Sequence, residues 1–245
     1  MKTLLATLGL VTLSWTPMAQ AAEPLVVGVE DTEYLPHYNW DGETYSGFGA
    51  DILNRFAADE GYELTFRALP VSRLMQAVIN GDVDLKYPDN AYWSADLKEG
   101  TDLVYSEPVV EAIDGVMVDP ANKGAGVEQI KRLGIVLGFT AFAWLDRIES
   151  GSVALTKNSS LTGMVRQALA GRIDGAYANL DVVRHVLVEL GHEPDALVFD
   201  ESLPHSVSNY HLSTSTHSDV VAAFDAWMDA NPEVIAELKA KHGLN

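Results

Sequence analysis

The chain has 245 residues, 47% of them hydrophobic, and its 35 acidic and 16 basic side chains give a formal net charge of −19. This composition is typical of a globular protein, and the acidic excess argues against nucleic-acid partners and anionic membrane surfaces, because like charges repel. The chain contains no cysteine, so its stability must come from packing and not from disulfides.

The first residues indicate export. Lys2 supplies a positive charge, residues 4–13 form an apolar run too short to span a bilayer, and residues 19–21 form a small-x-small cleavage site. We therefore predict a signal peptide over residues 1–21, cleaved after Ala21, and a soluble periplasmic protein. No cysteine stands at the cleavage point to accept a lipid, so we expect no membrane anchor. The alternative is a buried N-terminal helix.

The next part of the chain alternates strand and helix patterns. Residues 25–29 are an apolar, β-branched run of strand length, and the polar and aromatic residues 30–45 have the composition of a binding loop. Residues 50–60 place apolar side chains on one helical face before a glycine, and residues 62–68 alternate as a strand. This succession predicts an α/β protein.

One phrase occurs twice in the chain, at residues 74–84 and again at residues 164–174. Each copy is a short amphipathic helix, then a glycine just after the helix, then a β-branched residue and an aspartate that enter a strand. A helix followed directly by a strand is half of a parallel α/β unit. Two copies therefore predict two similar α/β lobes with a ligand-binding cleft between them.

The remaining segments extend this pattern. Strand-like runs over residues 104–118 lead to a predicted strand at residues 133–137 and a predicted helix at residues 142–149. Residues 203–213 are polar and extended, which predicts a strand that crosses back to the first lobe. Two helices over residues 218–242 then complete the chain.

Several short segments together suggest a family. They are the first strand, a Tyr-Leu-Pro loop, the segment that opens the first helix, the ends of both repeated phrases, a Tyr-Ser-Glu-Pro segment and a Gly-Phe-Thr turn, at residues 26–29, 34–36, 45–52, 81–84, 171–174, 105–108 and 138–140. In this order they resemble a family 3 extracellular solute-binding protein, the periplasmic type that serves polar amino-acid ABC transporters. No segment is specific alone, but the resemblance covers almost the whole mature chain.

The resemblance implies an α/β, two-lobed periplasmic binding protein fold of type II (Venus-flytrap), with a hinge of two crossing strands. It implies a first lobe of residues 22–114 plus 208–245 and a second lobe of residues 115–207. Such proteins close on a small polar solute, here amino-acid-like, a polyamine or an organic acid, and deliver it to the membrane permease of an ABC transporter. We expect a monomer without a cofactor or a metal.

The residues with which relatives clamp an α-amino acid are altered in this chain. Relatives bind the ligand carboxylate with an arginine, but residues 90–100 contain none, and Lys98 is the cation nearby. Relatives bind the ammonium with an aspartate after the second-lobe strand, where Asn179 stands here. An ordinary α-amino acid is therefore less expected. Arg73, at the start of the first repeated helix, is the preferred substitute clamp, with Lys98 or a merely exposed Arg73 as alternatives.

Other predicted ligand-binding residues lie in loops. Asp31 and Tyr34 match the acidic and aromatic residues with which relatives bind cationic side chains, a combination suited to a cation. The alternatives are a turn cap for Asp31 and packing for Tyr34. Polar and aromatic residues where a strand opens into a cleft also suggest binding; the further candidates are Asp89, Asn90, Tyr92, Trp93 and Thr140.

The sequence contains no pattern typical of catalysis. No nucleophile–base pair is evident, and His205, His211 and His217 recur every six residues without a metal-binding motif. We therefore predict a binding protein and not an enzyme. Two alternatives remain, a ligand-sensing protein that docks on a membrane receptor kinase and a dehydratase-like enzyme on the same scaffold.

Overall fold

The structure, a computed structural model, describes residues 23–137 and 139–244, so the predicted signal peptide lies outside the described residues. The strands are β1 Glu23–Glu30, β2 Glu33–Tyr34, β3 Tyr38–Trp40, β4 Tyr45–Ser46, β5 Tyr62–Leu69, β6 Leu85–Asp89, β7 Val104–Tyr105, β8 Val110–Val118, β9 Arg132–Val136, β10 Ala154–Asn158, β11 Gly175–Asn179, β12 Val198–Phe199 and β13 Ser206–Thr214. The helices are α1 Phe48–Glu60, α2 Val71–Asn80, α3 Ala95–Lys98, α4 Leu145–Glu149, α5 Leu161–Leu169, α6 Leu180–Glu189, α7 Ser218–Ala230 and α8 Pro232–Lys241. Among these helices, none has both the length and the hydropathy needed to cross a bilayer.

A single sheet runs through the molecule with the strand order β10-β9-β11-β8-β13-β6-β1-β5. At one end β1 is parallel to β5 and β6, and at the other β9 is parallel to β10 and β11. Parallel neighbours need crossover connections, which α1, α2, α4 and α5 provide. The first lobe is therefore built on β5, β1 and β6 and the second on β9, β10 and β11, which confirms the predicted two-lobed α/β fold.

The strands β8 and β13 cross between the lobes. They pair with each other from Val110 opposite Tyr210 to Asp114 opposite Ser206. Beyond this segment β8 enters the second lobe and pairs with β11, whereas β13 enters the first lobe and pairs with β6. Each strand thus belongs to both lobes, as expected for the two crossing strands that the resemblance implied.

The repeated phrase has the same structure in both lobes. In the first lobe, Asp84 Oδ2 accepts a hydrogen bond of 2.7 Å from the backbone amide of Val26 in β1. In the second lobe, Asp174 Oδ2 accepts one of 2.7 Å from the backbone amide of Arg132 in β9. The repeated aspartate therefore fastens the end of its phrase to the neighbouring strand of its own lobe.

The predicted helix over residues 142–149 is divided in the structure. Phe142–Trp144 form a 3-10 turn, and α4 begins only at Leu145. The Trp144 side chain is fully buried, and its indole Nε1 donates to the carbonyl oxygen of Pro204 at 2.8 Å. This bond joins residues 60 positions apart and holds the turn against the segment before β13.

The two lobes pack against each other. Val182 of α6, in the second lobe, is 1% exposed and belongs to the same core cluster as Val27 and Phe48 of the first lobe. Leu161 of α5 also packs on that cluster. The cleft is thus closed in this structure, and its walls are in contact.

Gly47, the residue before α1, provides a test of the local backbone. Its φ of 95° and ψ of −174° lie in a region reserved for glycine, and an added Cβ would lie 2.9 Å from the Cα of Tyr38. We expect Gly47→Ala to lower the free energy of unfolding by about 2 to 4 kcal/mol in urea denaturation.

The matched control for this substitution is Gly42→Ala. Gly42 also has a positive φ of 102°, but nothing lies within 4 Å of the position that an added Cβ would take, so only the backbone strain of about 1 kcal/mol applies. Equal losses in the two variants would contradict a steric role for the contact between residue 47 and Tyr38.

Candidate functional site

Aromatic side chains of the first lobe reach the second lobe. The small sheet of β2, β3 and β4 presents Tyr34, His37 and Tyr38, and the Tyr34 ring lies 5.3 Å from the Tyr38 ring. Phe139 of the second lobe contacts the Tyr34 ring edge-on, with 5.8 Å between the ring centroids. A solute held between the lobes would therefore be covered by these rings.

His37 contacts the second lobe directly. It is 1% exposed, and its Nε2 lies 3.2 Å from Asn179 Oδ1 and 3.8 Å from Asp181 Oδ2. Asn179 Oδ1 also accepts from the backbone amides of Asp181 and Val182, which caps α6 and fixes the orientation of the amide. Since Oδ1 can only accept, His37 Nε2 carries the proton and donates it. Burial lowers the pKa of His37 to about 4, so the ring is neutral at pH 7.

Two buried polar atoms at this contact have no partner among residues 23–137 and 139–244. They are Nδ1 of His37, which is a bare acceptor in this tautomer, and Nδ2 of Asn179, which is a donor. Leaving such an atom unsatisfied costs about 1 to 3 kcal/mol. A buried acceptor and a buried donor without partners at the boundary between two lobes are groups that a polar ligand would satisfy.

Asp114 lies in the middle of β8, at the end of the segment that pairs with β13 and next to β11. It is opposite Asn179 of β11 and opposite Ser206 of β13, and residues directly opposite in antiparallel strands point to the same face of a sheet. The three polar side chains therefore form a row. Within the described part of the chain, no hydrogen bond or ion pair engages the Asp114 carboxylate, and burial raises its pKa to about 6.

Tyrosines surround this carboxylate. The Tyr177 hydroxyl lies 3.3 Å from Ser206 Oγ, and the Tyr210 ring lies edge-on to His37 at 5.2 Å. Burial raises the pKa of Tyr34, Tyr177 and Tyr210, and the nearby charge of Asp114 raises each of them further. We call the following the junction residues: Tyr34, His37, Asp114, Tyr177, Asn179, Ser206 and Tyr210.

Asp89, a predicted ligand-binding residue, is buried inside the first lobe. Its Oδ1 lies 2.9 Å from Lys86 Nζ and 3.0 Å from Lys98 Nζ, and its Oδ2 accepts from Ser213 Oγ at 2.7 Å. Burial acts to raise the pKa of Asp89, but the charges of the two lysines outweigh it and hold the pKa below its usual range. Lys98 and Asp89 therefore bind each other inside the first lobe in this structure.

The neighbours of Asp89 are divided between interior and surface. The Asn90 side chain donates to the carbonyl oxygen of Asn209 and accepts from the backbone amide of Tyr92, so its polar groups have protein partners. Trp93 is half-buried, with its ring 5.5 Å from that of Tyr210 and therefore next to the junction residues. Tyr92 itself is 87% exposed.

Of the other predicted residues, two are junction residues and three are not. Asp31 and Thr140 are exposed. Arg73 lines a surface cavity with residues of β5, α2 and α3, none of them a junction residue. Tyr34 and Asn179, in contrast, lie at the centre of the junction, so the structure brings together these two predicted residues with Trp93 beside them.

The residues predicted from the sequence did not include His37, Asp114, Ser206 or Tyr210. An acidic residue inside a run of strand-like apolar residues was the available signal for Asp114, because such a position is unfavourable for a charge unless it is used. His37 follows the Tyr-Leu-Pro loop but had no distinguishing pattern. Tyr210 lies in the predicted crossing segment, where its contacts depend on the pairing of distant strands.

Elsewhere the structure has an acidic cavity in the second lobe, lined in part by Asp119, Asp174 and Asp200. Asp174 and Asp200 accept hydrogen bonds from backbone amides, so their carboxylates are already used. Within residues 23–137 and 139–244 there is no group of three or more side chains suited to hold a metal ion.

Comparison with known proteins identifies the fold. No family model and no curated protein matches the chain. A histidine kinase sensor domain with similarity to periplasmic binding proteins has a TM-score of 0.68 at 17% identity, over 91% of this chain and 96% of that chain. An ancestral arginine-binding protein bound to arginine has a TM-score of 0.63 at 17% identity, over 91% and 99% of the two chains.

A third solved structure is an ancestral amino-acid-binding protein described as a precursor of cyclohexadienyl dehydratase. Its TM-score is 0.65 at 15% identity, over 89% of this chain and 94% of that chain. Likeness at these identities defines the fold and not the activity. The protein therefore has the two-lobed, mixed α/β fold of periplasmic binding proteins, as its sequence predicted.

Proposed function

We propose that this protein is an exported receptor of the family 3 solute-binding type, which closes on a small polar solute and delivers it to an ABC permease. The observation that carries the proposal is the pair of unpartnered buried atoms, His37 Nδ1 and Asn179 Nδ2, on two residues in contact between the lobes, with Asp114 opposite Asn179 in the sheet. A polar solute enclosed there would meet protein groups in place of water.

The proposal includes the parts of the chain that would move. Residues 22–114 plus 208–245 would form the first lobe and residues 115–207 the second, with β8 and β13 as the hinge. In hinge closure around a ligand, only a few connecting residues change their backbone angles. The two crossing strands are a connection of this kind. Cleavage after Ala21 would release the mature receptor into the periplasm.

A thermal-shift screen of refolded, ligand-stripped protein tests the proposal against amino acids, polyamines, organic acids and short peptides. A ligand at about a hundred times its Kd stabilises by roughly 2.7 kcal/mol, which is a Tm increase of several degrees at about 2–4 °C per kcal/mol. The absence of a shift with every class would contradict a solute-binding role.

A matched pair of variants tests whether the solute is bound between the lobes. Phe139 contacts Tyr34 across the lobes, whereas Phe142, three residues later at the start of the 3-10 turn, is 69% exposed. We expect Phe139→Ala to weaken solute binding about fivefold, because the closed form loses an aromatic contact of about 1 kcal/mol, and Phe142→Ala to leave it unchanged. Calorimetric titration measures both; equal affinities would place the solute elsewhere.

A sensing function is the second candidate, since one matched structure is a histidine kinase sensor domain. In that case the closed protein would dock on a membrane receptor kinase. Neighbouring genes for a permease and an ATPase would favour delivery, and a neighbouring kinase gene would favour sensing. A dehydratase-like activity is tested by incubating the solute with the protein and recording its NMR spectrum over time. We expect the solute to remain chemically unchanged.

A further inference from the structure

Asp114 is a charged group of the junction whose counter-ion is missing from the described residues. Its row neighbours, Asn179 and Ser206, are neutral, and Asp114 itself is half-buried between β11 and β13. Burying a carboxylate without a cation is unfavourable, so a protein keeps such a group where a ligand supplies the opposite charge. A cationic group of the solute is the matching partner.

The surroundings of Asp114 favour an organic cation. The phenol rings of Tyr34, Tyr177 and Tyr210 lie near the carboxylate, and aromatic faces attract ammonium groups. His37 Nδ1 at the same boundary is a bare acceptor, and an ammonium group is a donor of several hydrogen bonds. The junction therefore offers an anion, aromatic rings and a neutral acceptor.

The same region offers little to a carboxylate. Lys86 and Lys98, the cations of the first-lobe segment that leads to the junction, both bind Asp89 inside the lobe. The ligand carboxylate of an amino acid would lie close to the Asp114 carboxylate without a cation to offset the repulsion. The donor Asn179 Nδ2 can bind a hydroxyl or carbonyl oxygen of a neutral group instead.

We infer that the solute is a small organic amine without a carboxylate group, bound with its ammonium against Asp114 and beneath the tyrosines of the junction. This inference rests on the proposed function. It separates the protein from receptors that hold the carboxylate and the amine of an α-amino acid together.

Pairs of ligands that differ by one carboxylate test the inference. Agmatine and arginine, cadaverine and lysine, and tyramine and tyrosine are titrated calorimetrically into ligand-stripped protein at pH 7.5. In at least one pair, we expect the amine to bind about tenfold or more tightly than its parent amino acid. Tighter binding of the amino acid in every pair that binds would overturn the inference.

Two variants of the same strand test the role of Asp114. Asp114→Asn is expected to weaken binding of the amine at least about tenfold, as expected when a charge-assisted contact is lost. Glu111→Gln, an exposed position of β8 on the opposite face of the sheet, is the control and should bind like the native protein. Unchanged affinity in Asp114→Asn would overturn the inference.

The stability of the ligand-free variant gives a second readout. Because Asp114→Asn removes a buried charge without a partner, we expect its Tm at pH 7.5 to exceed that of the native protein by a few degrees. A lower Tm would show that the carboxylate stabilises the fold and would overturn the inference. If no ligand of any class binds, the proposed receptor function itself fails; if amino acids bind independently of Asp114, the receptor function stands and only the amine assignment fails.

Discussion

Replacement of Asp89 by asparagine is expected to lower the free energy of unfolding by about 3 to 5 kcal/mol, because two buried ammonium groups lose their anion. Lys86 and Lys98 are 2% and 9% exposed, so water cannot replace the carboxylate. After the substitution they would retain only neutral partners, such as the carbonyl oxygens of Pro88 and Asn90. Urea denaturation at pH 7.5, followed by tryptophan fluorescence, measures the loss.

Asp102→Asn is the control for this prediction. Asp102 is an exposed carboxylate in the segment between α3 and β7, so we expect a change within about 0.5 kcal/mol. Lys98→Met should be milder than Asp89→Asn, because Lys86 still pairs with the carboxylate. A loss below about 1 kcal/mol in Asp89→Asn would contradict the buried network.

Acidification is expected to destabilise the native protein through His37. Its pKa is about 4 in the folded state and 6.5 ordinarily, so the unfolded chain takes up a proton that the folded chain excludes. The stabilisation is complete above pH 6.5 and is lost progressively as the pH falls towards 4. At about 1.4 kcal/mol per pH unit, the loss is about 3 kcal/mol. Asp181 Oδ2, 3.8 Å from His37 Nε2, does not offset the effect of burial.

The contribution of His37 is isolated by comparing variants from pH 7.5 to 4.5. The pKa of Asp114 is raised by burial and acts in the opposite direction, but it is common to all proteins compared. We expect the unfolding free energy of His37→Gln to depend less on pH than that of the native protein. The exposed His192, changed to glutamine, should leave the native profile intact. Parallel profiles for His37→Gln and the native protein would contradict the assignment.

Local signals in the sequence were sufficient for the architecture. A glycine after an amphipathic helix and an aspartate three residues later predict a helix–strand unit, and Asp84 and Asp174 make the equivalent backbone bond in each lobe. The break at Phe142–Trp144 was not predictable, because the partner that holds it lies 60 residues away.

The candidate site depended on such distant pairing to a greater degree. Asp114 meets Asn179 and Ser206 only through the register of three strands, and no local pattern reports that register. Asp89 shows the same limit, since Ser213, which donates to its second oxygen, is 124 residues later. Tyr34 and Asn179 were predicted because the family resemblance assigns ligand-binding roles to their positions, and no local pattern around either residue reports these contacts.

The core of the first lobe contains both β1 and the last helices of the chain. Leu25 of β1 and Phe56 of α1 pack in one cluster with Phe224 of α7 and the buried Leu244. A polypeptide emerging amino end first therefore cannot complete this lobe until α7 and α8 have emerged. The strands β9, β10 and β11 lie on one continuous stretch and can pair earlier. The order in which the chain emerges thus favours maturation of the second lobe first, with the first lobe unfinished in the interval.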